Sequence, residues 1–353
     1  ALVTMSEPDG APYAFEPRNV LRRVAAGFAA TGLTPVVAFE LEFYLIDRER
    51  DAGGAPQPPV LPTTRRRDAP TQVYGMNEVE AFAPLLAEIH ESCRAQGIPV
   101  GALSAEYAPG QYEINLAHVP DPLLAADQAV LFKRAVQGVA RKHGLQATFA
   151  AKPYPAEAGS GLHLHVSLLD RAGRNVFDGG AALASESLRH AIGGALATMP
   201  DAMSLFAPSV NSFRRYKANN FVPVSRSWGF ENRSAAIRVP TGPGSARRIE
   251  LRTPGADANP YLALAGLLAG IQHGLERRLD PGAPASSNAG AALDPAVPLR
   301  PFRALEKLRD SAVLRAALGE DYVAAYVATK WAETEAFYDQ IGPAEYAWYL
   351  QAD

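Results

Sequence analysis

With a single cysteine, Cys93, among 353 residues, the chain holds no internal disulfide and no zinc–thiolate cluster, and this redox profile favours a cytoplasmic address. Long apolar runs are missing too. None reaches the roughly 18 residues that a membrane-spanning helix needs, so no membrane partner is expected. The opening residues carry no charged n-region ahead of an apolar segment and do not read as a secretory leader. Charge of one sign is not in excess: the formal net charge is −3 with both signs interspersed, so the positive field that attracts nucleic acid is absent. There is no GxxxxGK[ST] loop, so a nucleotide would have to be held in some other way. No internal repeat is found. A small polar substrate fits this profile.

Hydrophobic periodicity organises what is present. A helix is expected at 19–31, where Val20, Val24 and Phe28 recur before Gly32, and a strand at 35–46. Residues 48–70, rich in Pro, Gly and Arg, read as an exposed excursion. Helices follow at 77–96 and 122–143, separated by strands "GALSAEY" and "QYEINLA" around the turn Ala108-Pro109-Gly110. Further strands are expected at 146–152 and 161–169, then a helix at 183–199. Residues 204–258 are mixed, with strands in "RSAAIRVP" and "RRIELRTP". Asn259-Pro260 opens an apolar helix, 280–300 is a low-complexity linker, and two helices at 301–317 and 320–340 close the chain. Strands joined by irregular connections and flanked by helices indicate an α+β fold.

Four of these strands place chemistry on one face. Glu40 and Glu42 alternate with Phe39, Leu41 and Phe43; His163, His165 and Ser167 alternate with leucines and Val166; Arg248, Glu250 and Arg252 lie opposite Ile249 and Leu251. Glu106 and Glu113 bracket the tight turn. One such strand alone reads as a solvated sheet face. Four together, using Glu, His and Arg in place of the usual Lys, Thr and Gln, favour convergence on a cavity. Carboxylates about 4 Å apart repel by roughly 4 kcal/mol at an effective dielectric near 20, so a cation must accompany them. Oxygen donors with an occasional imidazole suit Mg²⁺ or Mn²⁺. Arg214, Arg215, Arg233, Arg238, Arg248 and Arg252 cluster between positions 214 and 252, and guanidinium forks match carboxylate and phosphate oxygens. Metals with arginines indicate phosphoryl transfer.

The pieces "ELEF", "EYAPGQYE", "GSGLHLHVSL", "NSFRRY", "ENRSAAIRVP" and "RRIELRTPGADANPYLALAG" resemble, in order, the catalytic domain of the glutamine synthetase family, over roughly residues 15–350. The resemblance implies a curved antiparallel sheet shaping a metal-lined funnel flanked by helices. Residues 18–353 would form this domain, with 301–353 its C-terminal helical part, and 1–17 would be a remnant of an N-terminal β-grasp domain. The implied reaction is ATP-dependent: glutamate becomes γ-glutamyl phosphate, and an amine displaces the phosphate. Glu42, Glu106 and Glu113 would hold the metal nearer glutamate; Glu40, His163 and Glu250 would hold the metal on the nucleotide. Two or three Mg²⁺ or Mn²⁺ ions are implied, with ATP as co-substrate. His165, Ser167, Arg238 and Arg248 match nucleotide-contacting positions, Arg215, Arg252 and the Gly159 backbone match glutamate-binding positions, and Arg233 matches the arginine that neutralises the transferring phosphoryl group, Arg215 acting beside it. Arg214 matches no catalytic position. A homo-oligomer, dodecamer or hexamer, is implied as well.

Three departures stand out. Phe221 occupies the flap position where ammonia-using members carry a glutamate; an apolar ring accepts no proton but can line a pocket for the carbon skeleton of a larger amine. Ala158 stands where those members have an asparagine that touches glutamate, so either acid specificity is loosened or a neighbour such as Asn211 replaces the contact. The aspartate that serves as base toward the amine belongs to the β-grasp domain, so either this chain is a fragment or the base comes from elsewhere. "PGADANPYLALAG" resembles the γ-glutamylpolyamine and γ-glutamylmonoamine synthetase branch. An ammonium-using glutamine synthetase and a non-catalytic nucleotide-binding member are the alternatives. A carboxylate-metal hydrolase of another family would leave the arginines without a role.

Overall fold

Helix α1 (Pro17–Thr31) buries Val20, Leu21, Val24 and Phe28, and stops at Gly32, which supplies the left-handed φ of 75°. The long strand β1 (Thr34–Asp47) follows. From there the chain runs α2 (Met76–Ala81), α3 (Ala83–Ala95), β2 (Val100–Ala105), β3 (Gln111–Leu116), α4 (Pro122–Lys142), β4 (Leu145–Thr148), β5 (Leu162–Leu169), α5 (Glu186–Phe206), α6 (Val210–Phe213), β6 (Trp228–Phe230), β7 (Ile237–Val239), β8 (Ile249–Leu251), α7 (Pro260–Arg277), α8 (Pro301–Asp310), α9 (Ala312–Leu318), α10 (Glu320–Tyr338) and α11 (Pro343–Tyr349). This computed structural model describes residues 2–67, 73–180 and 184–351.

Among the described residues the strands form one curved, unclosed sheet in the order β2-β3-β1-β5-β8-β7-β6, with β4 on the far end of β1. All pairings are antiparallel except β6 with β7, which is parallel. One face is apolar. Phe39, Leu41, Phe43, Ile114, Leu162, Leu164, Val166, Ile249 and Leu251 share a buried cluster with residues of α1, α3, α4, α5 and α7. The other face carries the charged positions, as alternation demands. The expected α+β class therefore holds, with one parallel pair.

Several boundaries differ from expectation for local reasons. The helix expected at 77–96 breaks at Phe82, because Pro84 lacks an N–H and its ring collides with the carbonyl four residues back. The strand expected at 146–152 ends at Thr148, since Gly161 takes over the same edge of β1 by accepting the Glu42 N–H at 3.1 Å. Helix α5 runs through Pro200 to Phe206, beyond the expected end at 199. Its last turns are almost entirely buried, which offsets the missing hydrogen bond. The helix expected at 301–317 splits at Ser311, whose hydroxyl caps the Leu314 N–H at 3.3 Å. The two arginine-containing strands shrink to three residues each. Positions 68–70 of the excursion and 183 at the expected start of α5 lie outside the described residues.

Candidate active site

Strand register assembles the charged face. Glu40 lies opposite His163 on β5 and Asn115 on β3, Glu42 lies opposite Glu113, and His165 lies opposite Glu250, which itself lies opposite Arg238. Directly opposed residues share a face, so a single register fixes all of these together. Glu106 sits one residue beyond β2, on the turn. Beside them lies a cavity of about 790 Å³ whose wall includes Glu42, Glu106, Glu113, His163, Arg215, Arg233 and Arg252.

Hydrogen-bond geometry separates the two histidines. His165 Nδ1 accepts from Arg248 Nε at 3.0 Å, so the neutral ring carries its proton on Nε2, which lies 2.9 Å from Glu40 Oε1. That ring offers no lone pair to a cation. His163 places Nδ1 3.1 Å from Glu40 Oε2, which directs the Nδ1 proton there and leaves the Nε2 lone pair for the cavity.

Among the described residues, donor atoms fall into two compact triads, Glu40 with Glu113 and His163, and Glu40 with His165 and Glu250. Because the His165 lone pair is committed, the first triad suits a cation better. Glu42 Oε2 accepts from the Gly161 N–H at 2.9 Å and from Gln111 Nε2 at 3.2 Å, which aims its other oxygen elsewhere. A methyl group placed on Gly161 would stand 3.1 Å from His163 Nε2 and 3.3 Å from both Glu42 Oε1 and Arg215 Nη2. Metal-type and arginine-type groups thus meet around one bare backbone position.

Charge crowding shows in the acid strengths. Burial, then the neighbouring Glu42, pushes the Glu106 carboxyl up to about 7. Burial with Glu40 and Glu42 pushes Glu113 in the same direction. Two groups move the other way: burial alone would raise Glu40, yet the imidazoles of His163 and His165 hold it far below the carboxylate range, and His165 with Arg252 overcomes burial at Glu250. Opposed shifts among carboxyls packed this closely, Glu106 and Glu113 upward and Glu40 downward, mark a donor set whose charge a divalent cation would compensate. The donor chemistry fits Mg²⁺ or Mn²⁺.

The arginines divide by partner. Arg238 spans Glu250 Oε2 and Glu231 Oε2, each at 2.6 Å, while Arg252 bonds the other Glu250 oxygen and donates Nε to the Arg233 carbonyl at 3.1 Å. Glu250 is wholly buried between them. Arg233 reaches Tyr74 Oη at 3.2 Å. Arg215 is buried; its Nη1 donates to the Thr253 carbonyl at 3.3 Å, and its Nε has no partner. A methyl on Gly159 would meet Arg215 Cγ at 2.6 Å, so the glycine makes room for the arginine. Ser167 is buried on the β5 face with His163 and His165. Phe221 is exposed on the flap and stacks on Tyr107. Asn211 does not replace the contact missing at Ala158: its amide is committed to the backbone of Lys152, at 2.9 Å in both directions.

Some groups escaped sequence reasoning. Gln111 and Asn115 share the β3 face with Glu113 at period two, a signal that was there to be read; they bond Glu42 and Glu40. Tyr74 comes from an irregular segment and carries no periodic signal, while Tyr107, last in the expected strand "GALSAEY", lies on the turn because that strand ends at Ala105.

Residues 14–349 match the family described as glutamine synthetase, catalytic domain. The chain is 43% identical over 350 residues to γ-glutamylputrescine synthetase PuuA of Escherichia coli (strain K12), covering 99% of this chain and 74% of that protein. It is 35% identical over 338 residues to γ-glutamylethanolamide synthetase GlnA4 of Streptomyces coelicolor, covering 96% of this chain and 71% of that one. A solved structure of a GmaS/ADP complex superposes with a TM-score of 0.86 at 29% identity, covering 98% of this chain and 79% of its own.

Proposed function

The chain belongs to the glutamine synthetase family and is an ATP-dependent glutamate–amine ligase, and from that premise we propose that it forms γ-glutamyl phosphate and passes the γ-glutamyl group to an organic amine. The observation that carries this reading is the register that brings Glu40, Glu42, Glu113, His163 and Glu250 to one face, beside a cavity walled by Arg215, Arg233 and Arg252. Glu42, Glu106 and Glu113 would hold one divalent cation, and Glu40, Glu250 and the free Nε2 of His163 a second, with Glu113 close enough to Glu40 and His163 to stand between the two. When bound, such cations neutralise the carboxylates and the terminal phosphates of ATP.

Arg215 and Arg252 supply the positive charge for the carboxylates of glutamate, and the partnerless Arg215 Nε is a donor still to be satisfied. Arg233, tethered by Tyr74 and exposed to the cavity, neutralises the phosphoryl group as charge develops on it. Arg248 fixes the tautomer of His165, whose Nε2 stands 2.9 Å from Glu40 Oε1. With Ser167 and Arg238, these groups would contact ATP. The organic amine is argued from Phe221, an exposed apolar ring on the cavity wall where an ammonium-using site needs an acceptor. PuuA and GlnA4, named for the synthesis of γ-glutamylputrescine and γ-glutamylethanolamide, agree with it.

The test is phosphate release with glutamate, ATP and Mg²⁺, comparing ammonium, methylamine, ethanolamine and putrescine. Putrescine or ethanolamine is expected to give at least about tenfold higher kcat/KM than ammonium, a difference of about 1.4 kcal/mol in transition-state binding. Preference for ammonium defeats the organic-amine assignment.

A further inference from the structure

Two large rings stand exposed at the mouth of the cavity and touch each other across it. Tyr107, on the turn after β2, is 50% exposed, and Phe221, on the flap after α6, is 62% exposed. Their centroids lie 5.8 Å apart with planes inclined by 27°. Neither ring belongs to the buried core. Leaving two rings in water forfeits the stabilisation that burying them would bring, so their place calls for a ligand.

The flap is built to hold its ring there. Asn219 and Phe221 both adopt left-handed backbone conformations, with φ of 62° and 54°. For phenylalanine this is an outlier, maintained only where neighbours over-determine it. The segment 288–290 anchors the flap two residues before the ring: the Asn219 N–H donates to the Gly290 carbonyl and Asn288 Nδ2 donates to Asn219 Oδ1, each at 2.9 Å. Tyr107 follows Glu106 directly, and Tyr107, Phe221, Glu106 and Glu157 line the same cavity. Aromatic faces beside carboxylates suit an alkylammonium ion, whose methylenes lie against the rings and whose charge is attracted to both the π faces and the acids.

We infer that the Tyr107–Phe221 stack is the slot that takes the carbon chain of the amine, with Tyr107 a specificity-determining residue. The inference rests on the organic-amine reading and sharpens it to linear primary alkylamines and diamines. The chain lies against the exposed faces of the two rings, so selectivity grows with the number of methylenes covered.

The experiment measures kcat/KM for the series ammonium, methylamine, ethylamine, propylamine, butylamine and putrescine, with wild type, Tyr107→Ala, Tyr107→Phe, Phe221→Ala and the double alanine variant. Wild type should gain about fourfold per added methylene until the slot is filled. Tyr107→Ala and Phe221→Ala should flatten that slope by raising the KM for amine, with the KM for glutamate unmoved. Tyr107→Phe should restore it, and the double variant should lose less than the product of the two single losses. If alkylamines are preferred yet the slope survives in both alanine variants, the slot is overturned and the organic-amine reading stands. Preference of wild type for ammonium overturns both. Should Tyr107→Ala not fold, Tyr107→Leu and Phe221→Ala carry the same reading.

Discussion

Glu113 shows how one residue can be costly for the fold and needed for the chemistry. Its carboxyl is held above the ordinary value of 4.5 by burial and by Glu40 and Glu42. For an acid raised in the folded state, the stabilising contribution is full below the unfolded value and is lost as pH rises through the folded one. Metal-free Glu113→Gln should therefore melt above metal-free wild type at pH 8, and the gap should shrink toward pH 5, as read by thermal unfolding in chelator. The same variant should lose at least about 100-fold in kcat/KM, because it removes a charged ligand from the cation set. Equal melting temperatures at pH 8, or retained turnover, would contradict the placement of this group. Glu113 was legible from the alternation in "QYEINL". The raised acidity was not, since it depends on Glu40 and Glu42 arriving from another strand.

Elements follow local pattern until tertiary packing overrides it. Proline is the clearest case. Pro84 breaks a helix as its missing N–H dictates, whereas Pro200 sits inside α5, carried by buried surroundings. The seam between α5 and α7 depends on glycine: a methyl on Gly194 would stand 2.1 Å from the Gly270 carbonyl oxygen and 2.4 Å from Gly274 Cα. Gly194→Ala should cost about 1–3 kcal/mol or more, because backbone cannot retreat as a side chain can. Gly138, midway along α4, has only the tip of Arg141 near its methyl position, at 4.0 Å. Gly138→Ala should instead stabilise by about 0.5–1 kcal/mol. Opposite signs in urea unfolding check both, and matching signs would refute the seam. Strand β6 was not foreseen; three residues are too few for periodicity to register, and its parallel pairing with β7 follows from a loop.

At the scale of the whole molecule, distant segments converge on charge that none of them could hold alone. Because Glu106 is pushed up to about 7 and Glu113 is also raised, Mg²⁺ binding near pH 7 must displace protons. Calorimetric heats of Mg²⁺ binding should therefore vary with the ionisation enthalpy of the buffer, and vary less for Glu113→Gln. Heats independent of buffer would show that these carboxyls are not where the cation goes. Which faces are apolar, and which residue types oppose them, is already written in the amino-acid order, because side-chain direction along a strand repeats every two residues whatever surrounds it. The sequence also carried the order of motifs that marks the family. Which carboxylate faces which histidine, which imidazole keeps a free lone pair, and which two exposed rings meet at the mouth emerge from the folded arrangement alone. Those are relations between segments far apart in the chain, fixed by strand register and by a pinned flap that leave no trace in local spacing.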